Sequence, residues 1–251
     1  MGSLYSLADQ IDPVEYGDLV DQWLDLATAS EYRTDPEDLS PDELRRQVRT
    51  RLVSSLFDGL EPYPYARRPF PLVGQIICID YPEAIIRVTG QLAAKMALPV
   101  DQLFAPGQAN TDAEPADSPA PLGDDGTYEI TGESDFIASK AANLGALVPS
   151  VIGPAPHGLI FAIPRDNAIV YEVVRAGWGK RVNEFAPLAA ALATHYAQED
   201  SMVSPASYYW APDGTVEMLS RPGTDDSGGR TLSITIGPVF SANVMRQVAP
   251  Q

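Results

Sequence analysis

Two pairs of short apolar segments, each joined by a four-residue turn, constrain the fold of this chain most. The first pair occupies residues 75–88 with its turn at residues 80–83, and the second occupies residues 158–173 with its turn at residues 164–167. Short segments that are rich in β-branched residues and bounded by Pro, Asp and Asn are typical of β-hairpins. A predicted helix follows each hairpin, so the chain carries two hairpin–helix units.

The two units match at several positions. Aligning Gly74 with Gly158 also pairs isoleucines and alanines at four further positions. An internal duplication is one interpretation, and the general likeness of apolar hairpins is the other. A third hairpin is predicted at residues 208–219, because Pro212, Asp213 and Gly214 occupy successive turn positions.

Two helices are predicted ahead of these units, at residues 12–27 and from Ser40 onward. Each begins with an N-cap residue, a proline and a carboxylate. In the second, Leu44, Val48 and Leu52 recur every four residues, which predicts a helix that continues towards residue 56. Its arginines are expected on the solvated faces; they are Arg45, Arg46, Arg49 and Arg51.

The sequence therefore predicts an α+β fold, in which N-terminal helices precede two β-hairpin–helix units that form a mainly antiparallel sheet. The predicted segments are an N-terminal helical segment at 1–60, a first unit at 61–104, an acidic Pro/Ala-rich linker or surface loop at 105–126, and a second unit with a C-terminal hairpin at 127–251. Pro106 is expected to end a helical turn that starts at Val100.

Charge limits the class of partner. The chain has 34 acidic and 17 basic residues and a formal net charge of −17. Such a surface repels nucleic acid and anionic membranes, and it suits a basic protein partner. No stretch reaches the ~18 consecutive apolar residues of a membrane span. Cys78 is the single cysteine and lies in an apolar segment, so we predict a buried structural thiol and a cytoplasmic location.

The two histidines of the chain are its candidate catalytic residues. His195 and Glu199 stand four residues apart on a predicted helix, a spacing that lets a histidine and a carboxylate share a metal ion. No further ligand is identifiable, so no metal is predicted, and a partly buried helix histidine is the other interpretation. His157 directly precedes a predicted strand. This position is typical of a catalytic histidine in a loop, but any residue that leads into a strand would occupy it as well. Phosphate-binding, dinucleotide and Gly-x-Ser-x-Gly motifs are absent, so no cofactor is predicted.

Two clusters are candidate binding residues. Trp178 lies between glycines and is followed by Lys180 and Arg181, which suits stacking on and charge pairing with an anionic ligand; a plain loop is the alternative. A second cluster is expected to be exposed and to contact a protein partner; it consists of Tyr208, Tyr209 and Trp210.

The turns of the first two hairpins carry acidic residues. Asp80 and Glu83 lie in the first turn, and Arg165 and Asp166 lie in the second. If pseudo-symmetry relates the units, these turns are equivalent, and a paired-carboxylate site for acid–base chemistry is one hypothesis. Ordinary turn chemistry explains the same residues equally simply.

Several segments together resemble the YtpQ-like bacterial family of unknown function, in its actinobacterial form. The resemblance covers roughly residues 48–220. It is carried by Pro69-Phe70 before the Ile-rich strand, Asp80-Tyr81-Pro82-Glu83, residues 134–139, residues 158–165, and Ser204-Pro205 leading to Tyr208-Tyr209-Trp210 and Asp213-Gly214. The family has no established activity or catalytic residues, so the resemblance implies a related fold and no function.

Two functional hypotheses follow. The first is a non-catalytic protein-interaction module. Charge complementarity suits it to a basic protein partner, and no nucleic-acid or membrane ligand is expected. The alternative is a small hydrolase or ligand-binding protein that uses an unrecognised His/carboxylate site. The absent motifs favour the first, and the second requires His157 or His195 to lie in a concave pocket beside Asp or Glu.

Overall fold

The computed structural model describes residues 34–55, 60–123, 125–175, 181–196, 201–225 and 227–245. The α-helices are α1 (Pro41–Gln47), α2 (Gly90–Ala93), α3 (Phe104–Asp112), α4 (Leu144–Leu147), α5 (Val182–Tyr196) and α6 (Pro238–Phe240). The strands are β1 (Val48–Ser54), β2 (Arg67–Phe70), β3 (Val73–Tyr81), β4 (Ala84–Arg87), β5 (Ala120–Pro121), β6 (Tyr128–Thr131), β7 (Leu159–Arg165), β8 (Ala168–Val173), β9 (Ser207–Trp210), β10 (Val216–Met218), β11 (Ser220–Thr224) and β12 (Arg230–Ile234). The helix predicted at residues 12–27 lies outside the described residues.

The strands form three sheets. In the first, β3 lies beside β1 on one side and beside β2 and β4 on the other; the second has the order β10-β9-β7-β8-β6-β5; β11 and β12 pair separately. Every pairing between these strands is antiparallel. The predicted α+β class with mainly antiparallel sheet is therefore confirmed. None of the described helices is long and apolar enough to cross a membrane.

The three predicted hairpins are present as β3–β4, β7–β8 and β9–β10. The structure does not support an internal duplication. The helix after the first hairpin, α2, has 4 residues, whereas α5 after the second has 15. Residues 137–152 form, in succession, a 3-10 helix (Ile137–Asn143), α4 and a π-helix (Val148–Ile152).

The prediction that the helix from Ser40 continues past residue 48 is wrong. Ser40 does cap α1 and forms the expected capping box with Glu43, but α1 ends at Gln47 and β1 follows. A spacing of four residues is also a multiple of two, so Val48 and Leu52 fit the period of a strand as well as that of a helix. Pairing of all seven residues of β1 with residues 73–79 of β3 decides in favour of the strand.

The prediction of a linker or loop over residues 105–126 is wrong in its first part, because α3 occupies residues 104–112. Pro106 is the third residue of α3, where its missing N–H has no partner to lose within the helix. The helix packs closely on β1. A Cβ on Gly107 would lie 3.3 Å from the backbone carbon of Arg49, so a small residue is needed at this contact.

The first two sheets share one hydrophobic core. Leu52, Phe70 and Val73 of the first sheet pack in the same buried cluster as Phe161 and Tyr208 of the second. Phe70 makes an edge contact with Phe161 at 5.6 Å between ring centroids. The first hairpin turn and the segment before the 3-10 helix border the groove described next.

Candidate functional site

A large cavity, called here the β4 groove, lies between β4 and residues 133–136. Its volume is about 1260 Å³, and all four residues of β4 line it. Ile85 and Ile86 belong to hydrophobic clusters on opposite faces of the sheet. Because residues from both faces line the groove, it extends around the outer edge of β4.

The outer edge of β4 has no strand beside it among the described residues. Val88 donates its N–H to the carbonyl oxygen of Ile77 at 3.0 Å, which fixes the alternation of the β3–β4 ladder. Since hydrogen-bonded and non-hydrogen-bonded pairs alternate in an antiparallel ladder, Ile85 and Arg87 direct their backbone N–H and C=O groups away from β3. These groups face the β4 groove.

The edge of β1, by contrast, is covered by side chains. The N–H of Thr50 donates to the hydroxyl of Thr111 at 3.0 Å, and the N–H of Leu52 donates to the hydroxyl of Ser139 at 2.8 Å. The amide of Asn110 donates to the carbonyl oxygen of Val48 at 2.8 Å. One edge of the sheet is therefore closed by the fold, and the β4 edge is left open.

Two arginines of β1 pair with carboxylates near the groove. Arg51 Nη2 lies 2.7 Å from Asp166 Oδ2, and Arg51 Nη1 lies 3.5 Å from Asp135 Oδ2. Arg49 lies 2.7 Å from Glu114 and 3.6 Å from Asp80. The prediction that Arg49 and Arg51 lie on solvated helix faces is wrong, because β1 directs them into these ion pairs.

The structure does not bring the carboxylates of the two hairpin turns together in the arrangement that the paired-carboxylate hypothesis requires. Burial raises the pKa of Asp80, and Arg49 opposes this increase. Burial likewise raises the pKa of Asp166, and Arg51 opposes that increase. The nearby carboxylate of Asp135 raises both pKa values further. Each carboxylate thus has its own arginine. Only Asp80 and Glu83 of the four turn residues line the β4 groove, so the groove does not bring Asp80 and Asp166 together as a proton-sharing pair.

A smaller cavity, called here the His157 cavity, has a volume of about 540 Å³. Its walls include His157, the rings of Tyr128 and Tyr171, and Arg175. None of the residues that line it is Asp or Glu. His157 therefore lies in a concave pocket, as the alternative hypothesis requires, but without the carboxylate that would orient a catalytic imidazole.

The other predicted catalytic and cationic residues are dispersed. His195 lies exposed on α5, so the prediction that it is partly buried is wrong, and Glu199, Trp178 and Lys180 lie outside the described residues. Arg181 contacts Glu172 through two hydrogen bonds of 3.0 and 3.1 Å and also contacts Asp125 and Glu184. Few of its donors remain for a ligand. The described residues contain no group of three or more His, Cys, Asp or Glu suited to a metal ion.

The expectation that Tyr208, Tyr209 and Trp210 are exposed is wrong. Tyr208 and Tyr209 are fully buried, and Trp210 is 9% exposed. Core clusters cover both faces of β9, with Tyr208 and Trp210 in one cluster and Tyr209 in the other. The Tyr208 hydroxyl donates to the backbone oxygen of Pro71 at 2.7 Å, and the Tyr209 hydroxyl donates to the backbone oxygen of His157 at 2.8 Å. These aromatics therefore hold the sheet in the core.

Cys78 is buried, as predicted. Burial raises the pKa of its thiol to about 12, so the reactive thiolate is scarcely populated near neutral pH. This thiol has the character of a small core side chain.

The outer edge of β4 and the wall residues Tyr128, Tyr171 and Arg175 are absent from the sequence-based candidates. Tyr128 and Tyr171 lie on different strands and become neighbours only through the β6–β8 register. Comparison of the chain with models of protein families, with characterised proteins and with solved structures finds no match. Function is therefore inferred from the two cavities.

Proposed function

We propose that this protein is a non-catalytic interaction module that binds an extended, basic segment of a partner protein along the outer edge of β4. The observation that supports this is the outward-directed backbone of Ile85 and Arg87 within the β4 groove. An added strand gains affinity from main-chain hydrogen bonds to such an edge. Groove side chains then select the partner.

Charge supports the choice of a basic segment. Two arginines line the groove, Arg51 and Arg87. They are outnumbered by four acidic residues, which are Asp80, Glu83, Glu133 and Asp135. Arg51 is already paired with Asp135 and Asp166. Glu83 and Glu133 are exposed and have no partner among the described residues. They are the groups most available to a lysine or arginine of the bound segment, and the net charge of −17 attracts such a segment from a distance.

The edge is tested with peptides selected on the full chain from a random twelve-residue display library, measured by fluorescence anisotropy. We expect selected peptides to alternate basic and β-branched residues. Arg87→Pro removes the outward N–H without breaking the ladder to β3, and it should lower affinity at least about tenfold. The matched variant Arg87→Ala loses the same side chain but keeps the N–H, and should bind at least as tightly as the parent.

Charge selectivity has its own pair of variants. Glu133→Lys reverses a charge in the groove and should weaken the selected peptides, whereas Asp101→Lys reverses an exposed charge outside it and should not. Binding should also weaken as salt increases. Equal affinity for Arg87→Pro and Arg87→Ala, or failure to select any peptide, would overturn the proposal.

The cellular location and the class of ligand belong to the same proposal. A buried lone cysteine suits a reducing, cytoplasmic location, and the acidic surface disfavours nucleic acid. Membership of the YtpQ-like family stays a prediction. Among the alternatives, the His157 cavity favours ligand binding over hydrolysis, because its walls contain no carboxylate.

A further inference from the structure

We propose that the His157 cavity binds a small aromatic carboxylate, whose ring lies against Tyr128 and Tyr171 and whose carboxylate pairs with Arg175 and His157. This site lies on the second sheet. It is independent of the β4 groove in its residues and in the chemistry of its ligand.

The cavity offers a flat apolar wall. Tyr128 and Tyr171 are cross-strand neighbours, and their rings stack with centroids 5.8 Å apart and planes inclined by 22°. Ile152 and Val173 add aliphatic surface. A volume of about 540 Å³ lies within the usual range of small-molecule sites, which are mostly apolar with a few polar groups.

The hydroxyl of Tyr171 is available to a ligand in this cavity. Most of the side chain is buried, and the hydroxyl makes no hydrogen bond with any described residue. The oxygen is not enclosed by protein, so a ligand can reach it. Burial raises the pKa of Tyr171, and the neighbouring Tyr128 raises it further, so its hydroxyl stays a hydrogen-bond donor near neutral pH. A ligand oxygen can accept this hydrogen bond.

The cavity also has uncommitted cationic and donor groups. Arg175 is exposed and pairs with no carboxylate in the described part of the chain, whereas Arg49, Arg51 and Arg181 are all held by acidic side chains. The imidazole of His157 likewise has no partner among the described residues; only its backbone oxygen accepts a hydrogen bond, from Tyr209. Such donors on an acidic protein select an anion.

A carboxylate fits these donors better than a phosphate does. A guanidinium binds a carboxylate through two parallel hydrogen bonds. Phosphate sites usually gather several backbone N–H groups at a glycine-rich turn or helix start. Here three wall residues are prolines, which lack an N–H; they are Pro119, Pro154 and Pro156.

The test compares 2-naphthoate with its neutral analogue 2-naphthamide, titrated into the full-length protein and followed by ligand-observed NMR. We expect 2-naphthoate to bind at least about tenfold more tightly than 2-naphthamide. Arg175→Gln should lower naphthoate affinity at least about tenfold, and Tyr171→Phe should lower it severalfold. Arg221→Gln removes an exposed arginine outside the cavity and should leave the affinity unchanged.

Each result bears on the proposal. Equal affinity for the acid and the amide would overturn recognition of an anion. Equal loss in Arg175→Gln and Arg221→Gln would show a general effect of charge and would overturn the site. Absence of naphthoate binding to the parent protein would overturn the ligand class, whereas phenyl phosphate binding more tightly than naphthoate would overturn the choice of carboxylate.

Discussion

Replacing Arg51 by glutamine removes the cation that joins β1 to the β7–β8 turn. Arg51 Nη2 and Asp166 Oδ2 lie 2.7 Å apart, and the two side chains are 9% and 16% exposed. Charges about 4 Å apart attract by about 4 kcal/mol at an effective dielectric constant of about 20. Desolvation of the guanidinium offsets part of this, so we expect the free energy of unfolding to fall by about 2–3 kcal/mol. For a chain of 251 residues the melting temperature should fall by about 5–10 °C.

The loss should depend on pH in a defined direction. Burial raises the pKa of Asp166 above 3.8, Arg51 opposes that increase, and Asp135 adds to it. Without Arg51 the pKa of folded Asp166 rises further above the unfolded value. The folded state then binds the proton more tightly, so stability is lost as pH rises through the folded pKa. The variant should therefore be most destabilised near pH 7 and less so near pH 4.

Urea unfolding followed by circular dichroism at both pH values measures these changes. Arg51→Gln combined with Asp166→Asn should be less destabilised than Arg51→Gln alone, since no uncompensated carboxylate remains. The matched control is Arg45→Gln, because Arg45 pairs with Asp42 at 2.9 Å but both side chains are exposed; it should cost less than about 1 kcal/mol. Equal losses for the two single variants, or no dependence on pH, would refute the reasoning.

Two further predictions concern close contacts in the sheets. Gly158 has a φ of +81°, and a Cβ there would lie 2.2 Å from the carbonyl oxygen of Trp210, so Gly158→Ala should cost at least about 3 kcal/mol. Gly214 has a φ of +89° but nothing within 4 Å, so Gly214→Ala should cost only about 1–2 kcal/mol, and equal melting temperatures for the two variants would contradict the steric explanation. Thr111→Val leaves the N–H of Thr50 without its acceptor, which should cost about 1–3 kcal/mol and speed amide hydrogen exchange at Thr50; unchanged exchange there would argue against edge protection.

The hairpins were predictable because their signals are local. The turn residues Pro212, Asp213 and Gly214 lie within one hairpin, and the N–H of Thr215 donates to the Asp213 carboxylate at 2.9 Å. The same holds for Ser40, whose N–H donates to the Glu43 carboxylate at 2.9 Å at the start of α1. In each case the contact that forms the element involves residues within a few positions of one another.

β1 was missed because its stabilising contacts are distant in sequence. Residues 48–54 fit both a helical and an extended period, and the choice depends on pairing with residues 73–79. The aromatics of β9 were misjudged for a similar reason. Their burial requires core clusters on both faces of the second sheet, which no local pattern reports.

The candidate sites were predicted only in part. His157 was recognised as a residue of interest, and Asp80 and Glu83 were recognised at a turn that does border the β4 groove. The cavity around His157 needs Tyr128 and Tyr171 from two strands, and the β4 groove needs residues 133–136 to lie over the first sheet. Neither arrangement is encoded at a recognisable sequence spacing.

By itself the sequence determined the class of fold, the three hairpins, the cap of α1 and the acidic character of the surface. Turn chemistry and capping act over a few residues, and charge depends on composition alone. Tertiary structure decided which strand edge is closed and which is open, which arginines are paired, and which tyrosines enclose a cavity. These features depend on free energies of pairing and burial between segments far apart in the chain, and such contacts exist only once the sheets have packed together.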